Sequence, residues 1–397
     1  MRSFHLRTSA MFDGRSATGP TVVTVTDGVI SAVQHDLGKL PDDGVPVLDF
    51  GVDAFLMPGL IDPHVHLAFD AGTDVVASLS GADDATLVQR MRAAARRALA
   101  AGITTVRDLG DRNFLASAVT TGPVPATDLP EILFAGPPIT TSGGHCFFLG
   151  GIAEGPEELR AAVRERHRRG CHVVKVMDSG GTMTAGTDPE VKQYSRSDLA
   201  VIVEEAHALG LPVAVHAHGT DAIADAVAVG ADSVEHASFF EAGEVRAPED
   251  LLNAIADSST VVSITLGTVP GGPTSQLPAF VLDRLDAMFA VYRSLHARGA
   301  RLTIGSDAGI NALKPHDVLP YGVQALSSRG FDTREALAAA TSVAATVCGV
   351  GHRKGAIVPG ADADLLVVRK NPLDDLARLR QVLAVFRAGV RVPDAVP

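Results

Sequence analysis

Residues 212–237 read PVAVHAHGTDAIADAVAVGADSVEHA, and this stretch decides the fold. The apolar run 212–217 has the length of a buried strand, 221–229 has helical spacing and ends at Gly230, and 233–237 is a second short β-like run. A strand, a helix and a strand in such close succession predict two parallel strands joined by a crossover helix.

The same alternation continues on both sides of this unit. We predict strands at 60–66, 104–109, 131–135, 172–177, 212–217, 233–237, 261–266 and 301–306. Helical patterns occupy 84–101, 156–169, 196–209, 221–229, 248–257, 281–298 and 334–348, and Gly170, Gly210 and Gly230 stop their helices. The segment between strands two and three is the least regular. Because eight parallel strands with crossovers close a barrel, the sequence predicts an α/β fold of the (β/α)₈ TIM-like barrel type.

Both ends of the chain differ from the middle. Residues 1–56 and 357–397 carry short β patterns and turns without helical spacing. Neither end is long enough to bury a core by itself. We therefore predict a small composite β-sandwich domain formed by residues 1–56 and 357–397, and a barrel domain over residues 57–356.

Composition narrows the classes of function. The 397 residues are 46% hydrophobic and 20% charged, as in globular enzymes, and carry a net charge of −12 without a basic stripe. This pattern argues against a nucleic-acid partner. The sequence contains no run of 18 apolar residues, and residues 1–14 lack the apolar core of a secretory signal, so we expect a cytoplasmic protein without a membrane partner. The three widely spaced cysteines predict no disulfide framework.

Histidines stand at the ends of predicted strands. His64 and His66 end the first strand, and side chains two residues apart in a strand share a face, so both imidazoles can address one metal ion. His216 and His236 end strands five and six. Barrel enzymes place their chemistry at the carboxyl ends of the strands, so these histidines are expected to converge. Glu235 alternates away from His236, and we expect it to point towards the helices.

Two charged residues complete the candidate set. Lys175 lies inside the apolar run 172–177, where a charge is costly unless it is neutralised or paired. Asp307 ends the eighth strand, where it could cap the following turn or bind a metal and accept a proton. Donors at the ends of five strands together indicate a metal-dependent enzyme.

Nine short motifs resemble the amidohydrolase superfamily, in particular its imidazolonepropionase-like branch with Xaa-Pro dipeptidases and related carboxypeptidases. The motifs are MPGLIDPHVHL, TTVRDLG, TSGGH, VVKVMDSGG, VAVHAHG, SVEHAS, IGSDAG, EALAAAT and PGADADLLVV. They are distributed over nearly the whole chain.

The resemblance implies two divalent metal ions. The ligands that it implies are His64, His66, Asp307, His216, His236 and Lys175. The first three would hold the more buried ion, the next two histidines the outer ion, and the lysine, as a CO₂-derived carbamate, would bridge both. This ligand set suits zinc, although Mn, Fe or Co could occupy it.

The reaction that the resemblance implies is hydrolysis of an amide-type bond in a dipeptide or an N-acyl amino acid. A hydroxide bridging the ions would attack the carbonyl, and Asp307 would take up the proton and deliver it to the leaving nitrogen. His145 and His218 have substrate-facing roles in this resemblance. They would steady a terminal carboxylate or the scissile carbonyl.

Other functions stay open. A cyclic-amide hydrolase or deaminase on the same barrel has a glutamate three residues after the fifth-strand histidine, where this chain has Gly219. Residues 317–322 (DVLPYG) lack the Glu-Leu pair of many relatives, so the identity of the substrate stays open, and the cleaved bond could also be that of a carbamate or a lactone.

A non-catalytic scaffold should lack metal ligands, and none is missing here. A homo-oligomer is compatible with this barrel class, although no stretch of the sequence indicates an interface.

Overall fold

The computed structural model describes residues 3–35, 43–121, 125–271 and 279–393. Each of the eight predicted strands is present, and we number them one to eight in chain order. Their bounds are Leu60–Val65, Ile103–Asp108, Glu131–Phe134, Val174–Met177, Val213–Gly219, Ser233–Glu241, Val261–Thr265 and Leu302–Gly305. Most ends differ from the prediction by one or a few residues, and strand six continues to Glu241.

The numbered strands pair in parallel. Strands one to three form one sheet in the order three-two-one, and strands four to eight form a second sheet in chain order. Isolated parallel bridges connect the two sheets, Val65 with Ala308 and Ile139 with Val176. A two-residue strand, Glu244–Val245, pairs antiparallel with the end of strand six. The prediction of an α/β fold with parallel strands is confirmed.

Helices follow the strands along the chain. Their bounds are Val75–Ser80, Asp84–Ala100, Leu115–Thr120, Gly155–Arg168, Arg196–Ala208, Thr220–Ala228, Glu249–Asp257, Ala279–Ala297, Leu319–Ser328, Thr333–Ala339 and Ser342–Val347, with 3₁₀ turns at Ala126–Asp128, Phe147–Leu149 and Leu376–Arg380. Side-chain caps start several of them: Asp83 accepts a hydrogen bond from the amide of Thr86, and Ser195 from that of Asp198.

One helix prediction is wrong. The pattern at 334–348 suggested a single helix, whereas the chain forms two, Thr333–Ala339 and Ser342–Val347. The break occurs at Thr341, whose backbone angles of φ −133° and ψ −93° are not helical. The predicted glycine stops are confirmed at Gly170, Gly210 and Gly230, which adopt φ values of +73°, +73° and +77°.

The two ends of the chain share a sheet. Its six strands lie in the order Val390–Arg391, Val382–Arg387, Leu365–Arg369, Ala54–Pro58, Ala10–Phe12 and Ala17–Thr18. A second, four-stranded sheet has the order Val29–His35, Thr21–Thr26, Ser3–Thr8 and Val47–Asp49. Buried residues of both sheets, among them Leu6, Val23, Leu56 and Phe386, belong to one apolar cluster. Burial of this apolar area is the main force that holds the two sheets together.

A group of buried and partly buried charges connects the C-terminal segment to strand three. Glu131, at the start of that strand, pairs with Arg353, Lys354 and Arg387. The Lys354 side chain is 1% exposed and also contacts Asp364. Because the opposite charges are close and the cluster is partly desolvated, these pairs are stronger than ordinary surface ion pairs.

Among the described residues, none of the helices combines the length and the apolarity needed to cross a membrane.

Candidate metal centre

The predicted donors lie on strands one, four, five and six or just beyond strands one and eight. His64, His216 and His236 are within or at the end of their strands, and Asp307 is two residues beyond strand eight. All of them are at most 8% exposed. Parallel strands bring these ends to the same side of the sheets, so side chains far apart in sequence meet there.

A first group of donors consists of His64, His66 and Asp307. Their ligand atoms all lie within 4.8 Å of one another. The Nε2 atoms of His64 and His66 are 3.6 Å and 3.4 Å from the same oxygen, Oδ1 of Asp307. Two imidazoles and one carboxylate converging in this way form a site of the type that holds a divalent transition metal.

A second group consists of His216, His218 and His236. Their ligand atoms also lie within 4.8 Å of one another, and the ring centroids are 4.5 to 4.7 Å apart. His218 thus lies in the same donor group as the two predicted ligands, and its position allows metal ligation as well as substrate contact. The ring of His236 is also 5.0 Å from that of His64, so the two groups are adjacent.

Each histidine of these groups has one ring nitrogen bonded on the side away from its donor group. The partners are Glu235 for His64, the Gly110 carbonyl for His66, the Gly180 carbonyl for His216, Ser238 for His218 and Thr265 for His236. The carboxylate and carbonyl partners of His64, His66 and His216 can only accept, so they fix the proton on the bonded nitrogen, and in all five rings the other nitrogen is left available to a metal. Burial lowers the pKa of His64 and of His218 to about 4, and lowers that of His216 and His236 well below the ordinary value. These four rings are therefore neutral at pH 7, as metal ligands must be.

Lys175 lies beside both groups with a buried amine. The residue is 1% exposed, and among the described residues Nζ has no hydrogen-bond partner. Burial lowers the pKa of Lys175 to about 8. An unpartnered buried ammonium is strongly unfavourable, so this amine calls for a further bonding partner that the polypeptide does not supply.

Glu235 corrects the sequence prediction, because it does not point towards the helices. Its Oε2 accepts a hydrogen bond of 2.8 Å from Nδ1 of His64, and its Oε1 accepts one of 2.8 Å from Nη2 of Arg107. Glu235 and Arg107 are both fully or almost fully buried. The alternation rule failed because His236 has a left-handed backbone with φ +71°, so consecutive side chains do not alternate there. The sequence could have identified the role of Glu235 by its place inside an apolar strand, directly before the predicted ligand His236.

Asp307 also has a left-handed backbone, with φ +57°. Non-glycine residues in this region are uncommon and cluster at functional sites. Burial alone would raise the pKa of the Asp307 carboxyl, but the hydrogen bond with His66 and the charges of His64 and Lys314 outweigh it and hold the pKa well below its ordinary value. The carboxylate is thus ionised at neutral pH.

His145 lies next to the second group, with its ring centroid 4.8 Å from that of His216. Its backbone amide donates to the side chain of Gln193 at 2.5 Å. Its Nδ1 has no protein partner among the described residues. His145 also lines the cavity that contains the donor groups, which is a position suited to contact with a substrate.

Both donor groups, Lys175 and His145 line one cavity of about 1110 Å³. Its deep end contains both donor groups, Lys175, His145 and Cys146. Its outer walls are mostly apolar and include Phe240, Leu285 and Phe289. A deep polar end with apolar walls is the usual form of a small-molecule site.

Comparison with known proteins agrees with this geometry. Ochratoxinase from Aspergillus niger is 29% identical over 364 residues, covering 83% of this chain and 73% of that protein. Imidazolonepropionase from Kosmotoga olearia is 24% identical over 371 residues, covering 85% of this chain and 83% of that protein. The structure of a prolidase complexed with N-methylphosphonate-L-proline is similar with a TM-score of 0.83 at 27% identity, covering 98% of this chain and 99% of that chain.

The family model that matches this chain is that of the amidohydrolase family, and the match runs over residues 55–392. This range includes every predicted donor. The chain therefore belongs to the amidohydrolase family and is a hydrolase of carbon–nitrogen bonds.

Proposed function

We propose that the protein is a binuclear metal-dependent hydrolase that cleaves the amide bond of a dipeptide or an N-acyl amino acid. The observation that carries the proposal is the position of Lys175. Its buried amine has no hydrogen-bond partner among the described residues, and it lies close enough to His64 of the first donor group and to His216 and His236 of the second to interact electrostatically with them. A group bound to this amine would satisfy it.

The architecture that we propose is a (β/α)₈ barrel over residues 57–356 with a composite β-sandwich of residues 1–56 and 357–397. The two parallel bridges between the sheets support closure of the barrel. The sheet built from both ends of the chain supports the composite domain. Residues 1–2, 36–42 and 394–397 of that domain lie outside the described residues.

The residues present fit two divalent ions. His64, His66 and Asp307 would hold one ion, and His216 and His236 the other. Zinc is proposed because nitrogen and carboxylate donors of this type suit it. When bound, the ions lower the pKa of a coordinated water towards ~7 and polarise the scissile carbonyl.

Lys175 would become the bridge between the two sites by reaction with CO₂. The neutral amine forms a bond from Nζ to the carbon of CO₂ and loses one proton, which gives an anionic carbamate. With a pKa of about 8, roughly a tenth of the amine is neutral at pH 7 even before metal binds. The product replaces an unfavourable buried cation by an anion next to metal sites.

Asp307 is the proposed proton carrier. Its low pKa keeps it ionised, so it can accept a proton from the attacking water and then donate it to the leaving nitrogen. His145 would steady a terminal carboxylate or the scissile carbonyl through its available ring nitrogen. His218 would contribute either to the same contact or to the outer metal site, because it lies in that donor group.

The choice of substrate rests on the relatives. Prolidase and ochratoxinase are both similar to this chain over most of its length. We therefore place dipeptides and N-acyl amino acids first, ahead of carbamates and lactones.

A cyclic-amide hydrolase or deaminase is the second candidate, since an imidazolonepropionase is also similar. Two observations disfavour it. A side chain at Gly219, where those enzymes have a glutamate, would come within 2.6 Å of the Glu190 carbonyl oxygen. Lys175, in addition, would be left without a role. A non-catalytic scaffold is the third candidate, and the complete donor set disfavours it.

A hydrolysis screen tests the proposal. Protein loaded with zinc in the presence of bicarbonate is offered N-acyl amino acids and dipeptides, including Xaa-Pro and peptides ending in Lys or Arg. We expect hydrolysis by the wild type and none by Lys175→Ala, which should also bind fewer zinc ions. If only cyclic amides are turned over, or if Lys175→Ala is as active as the wild type, the proposal is wrong.

A further inference from the structure

The cavity continues beyond the metal centre between two helices, Ala279–Ala297 and Leu319–Ser328. The lining residues of the first helix are Val281, Leu282, Leu285 and Phe289, and those of the second are Tyr321, Gln324, Ala325 and Ser328, so each helix presents one face. We call this part the outer groove, and it is lined by Leu282, Leu285, Phe289, Tyr321, Ala325 and Ser328. Its walls are mainly apolar and favour a ligand with an apolar chain.

A guanidinium group lies at this groove. Arg380, from the 3₁₀ turn Leu376–Arg380, lines the cavity although it belongs to the C-terminal segment. Its guanidinium carbon is 4.1 Å from the centroid of the Tyr321 ring, and its Nη1 donates a hydrogen bond of 2.9 Å to Oε1 of Gln324. Stacking and this hydrogen bond hold the group in a defined orientation.

Arg380 has no carboxylate partner within ion-pair distance in the described part of the chain. The neighbouring Arg329 differs, because it pairs with Asp286. Arg380 is itself exposed, but contacts with Tyr321 and Gln324 hold its guanidinium at the cavity. Its remaining N–H donors are available to an incoming anion. Because the net charge is −12, an anionic substrate needs such a local cation to be held.

In the proposed eight-stranded barrel, the elements that supply His145 and the outer groove belong to different sides of the barrel axis. His145 follows strand three, whereas the two groove helices follow strands seven and eight. If His145 contacts the amino-acid part of the substrate, the acyl part extends from the metal centre towards the outer groove.

We propose that the outer groove binds an acyl chain that ends in a carboxylate, and that Arg380 recognises this carboxylate. The preferred substrate is then an amino acid acylated by one end of an aliphatic dicarboxylic acid. This inference rests on the function proposed above and adds the chemical class of the acyl group and the residue that selects it.

Paired substrates test this inference. The amino acid favoured in the hydrolysis screen is acylated either with octanoic acid or with one end of octanedioic acid, so that the pair differs only by the terminal carboxylate. We expect the wild type to have a kcat/KM about tenfold or more higher for the octanedioyl substrate, mainly through KM, since a charged hydrogen bond is lost without the carboxylate.

The variants separate recognition from general effects. Arg380→Gln should bring the ratio of the two kcat/KM values close to one, and Arg380→Lys should restore part of it. Arg378→Gln is the matched control, because Arg378 is in the same turn but pairs with Asp374, and it should keep the wild-type ratio. Equal use of both substrates by the wild type, or an unchanged ratio in Arg380→Gln, would overturn the inference.

A binding measurement keeps this test independent of the proposed function. If the screen finds no dipeptide or N-acyl amino acid that the wild type hydrolyses, the proposed function fails. In that case, and also if only the two paired substrates are not hydrolysed, calorimetry of zinc-loaded protein with octanedioic acid and octanoic acid decides the inference. Tighter binding of octanedioic acid that disappears in Arg380→Gln supports it. Equal binding of both acids, or a preference that Arg380→Gln retains, overturns it.

Discussion

Replacement of Glu235 by glutamine tests how the first donor group is held. The carboxylate accepts hydrogen bonds from three donors: Arg107 at 2.8 Å, His64 at 2.8 Å and the hydroxyl of Ser233 at 2.6 Å. An amide has one oxygen and one NH₂ group, so it cannot accept from both sides. In one orientation its NH₂ group meets the guanidinium of Arg107. In the other it meets Nδ1 of His64, which must then give up its proton and carry it on Nε2, the nitrogen that faces Asp307.

The size of the effect follows from burial. The Arg107 and Glu235 side chains are 2% and 0% exposed, and removal of one partner of such a pair costs about 3–5 kcal/mol of stability. Loss of the bond that orients a metal-binding histidine lowers metal affinity by about 10–100-fold. We expect both effects in Glu235→Gln, measured as the free energy of unfolding in urea after chelation and as zinc affinity by competition with a coloured chelator.

Asp225→Asn is the matched control. Asp225 also bonds two cations, Lys192 and Arg196, at 2.7 Å each, but their side chains are 41% and 62% exposed. Water can solvate these cations when the carboxylate is removed, so the cost should be about 1 kcal/mol or less, and zinc affinity should not change. If Glu235→Gln is destabilised no more than Asp225→Asn and binds zinc as the wild type does, the argument for a buried positioning carboxylate is refuted.

Three further predictions concern other residues. Lys175→Met should leave the metal-free protein at least as stable in thermal unfolding as the wild type, because it removes an unpartnered buried amine, but should reduce the zinc content in mass spectrometry; a large loss of stability would contradict this. Asp307→Asn should abolish hydrolysis with an unchanged circular dichroism spectrum, and retained turnover would exclude it as proton carrier. Burial would raise the pKa of Glu131, yet its bond with Arg353 and the charge of Lys354 lower it to about 2. Its contribution to stability is thus complete above its ordinary pKa of 4.5 and decreases as the pH falls towards 2, so Glu131→Gln should cost roughly 2 kcal/mol in urea unfolding at pH 7 and less below pH 4.5; a cost that does not depend on pH would contradict the assignment.

The strands were predictable because a strand buried on both faces requires consecutive apolar residues, which are visible in the sequence. A short apolar run between turn residues is sufficient to identify a strand in a parallel sheet, and all eight are observed. The histidine and aspartate donors were predictable for the same reason, since each lies at or just beyond the end of such a run, whereas Lys175 was noticed as a charge inside one. The helix Leu319–Ser328 was not predicted, because Pro320 and Gly322 near its start hide the helical pattern.

The side on which a residue points was less predictable than its position. Period-two alternation placed His64 and His66 correctly on one face, and both approach Asp307. The same rule failed at Glu235, because the chain leaves the extended conformation at His236. Backbone angles of this kind are imposed by contacts across the fold, which are not encoded in neighbouring residues.

Substrate specificity depends on residues from distant segments of the chain, so it is the property that the sequence predicts least well. Arg380 belongs to a segment that the sequence assigned entirely to the small terminal domain, yet it lines the cavity and bonds Gln324, 56 residues earlier in the chain. Metal-binding residues are tied to strand ends because parallel strands bring those ends together in every member of such a fold. A residue at the outer groove has no such constraint, since any loop or turn that reaches the opening can supply it. For this reason the reaction class can be inferred from strand-end motifs, whereas the substrate has to be inferred from contacts between distant segments such as that of Arg380 with Tyr321.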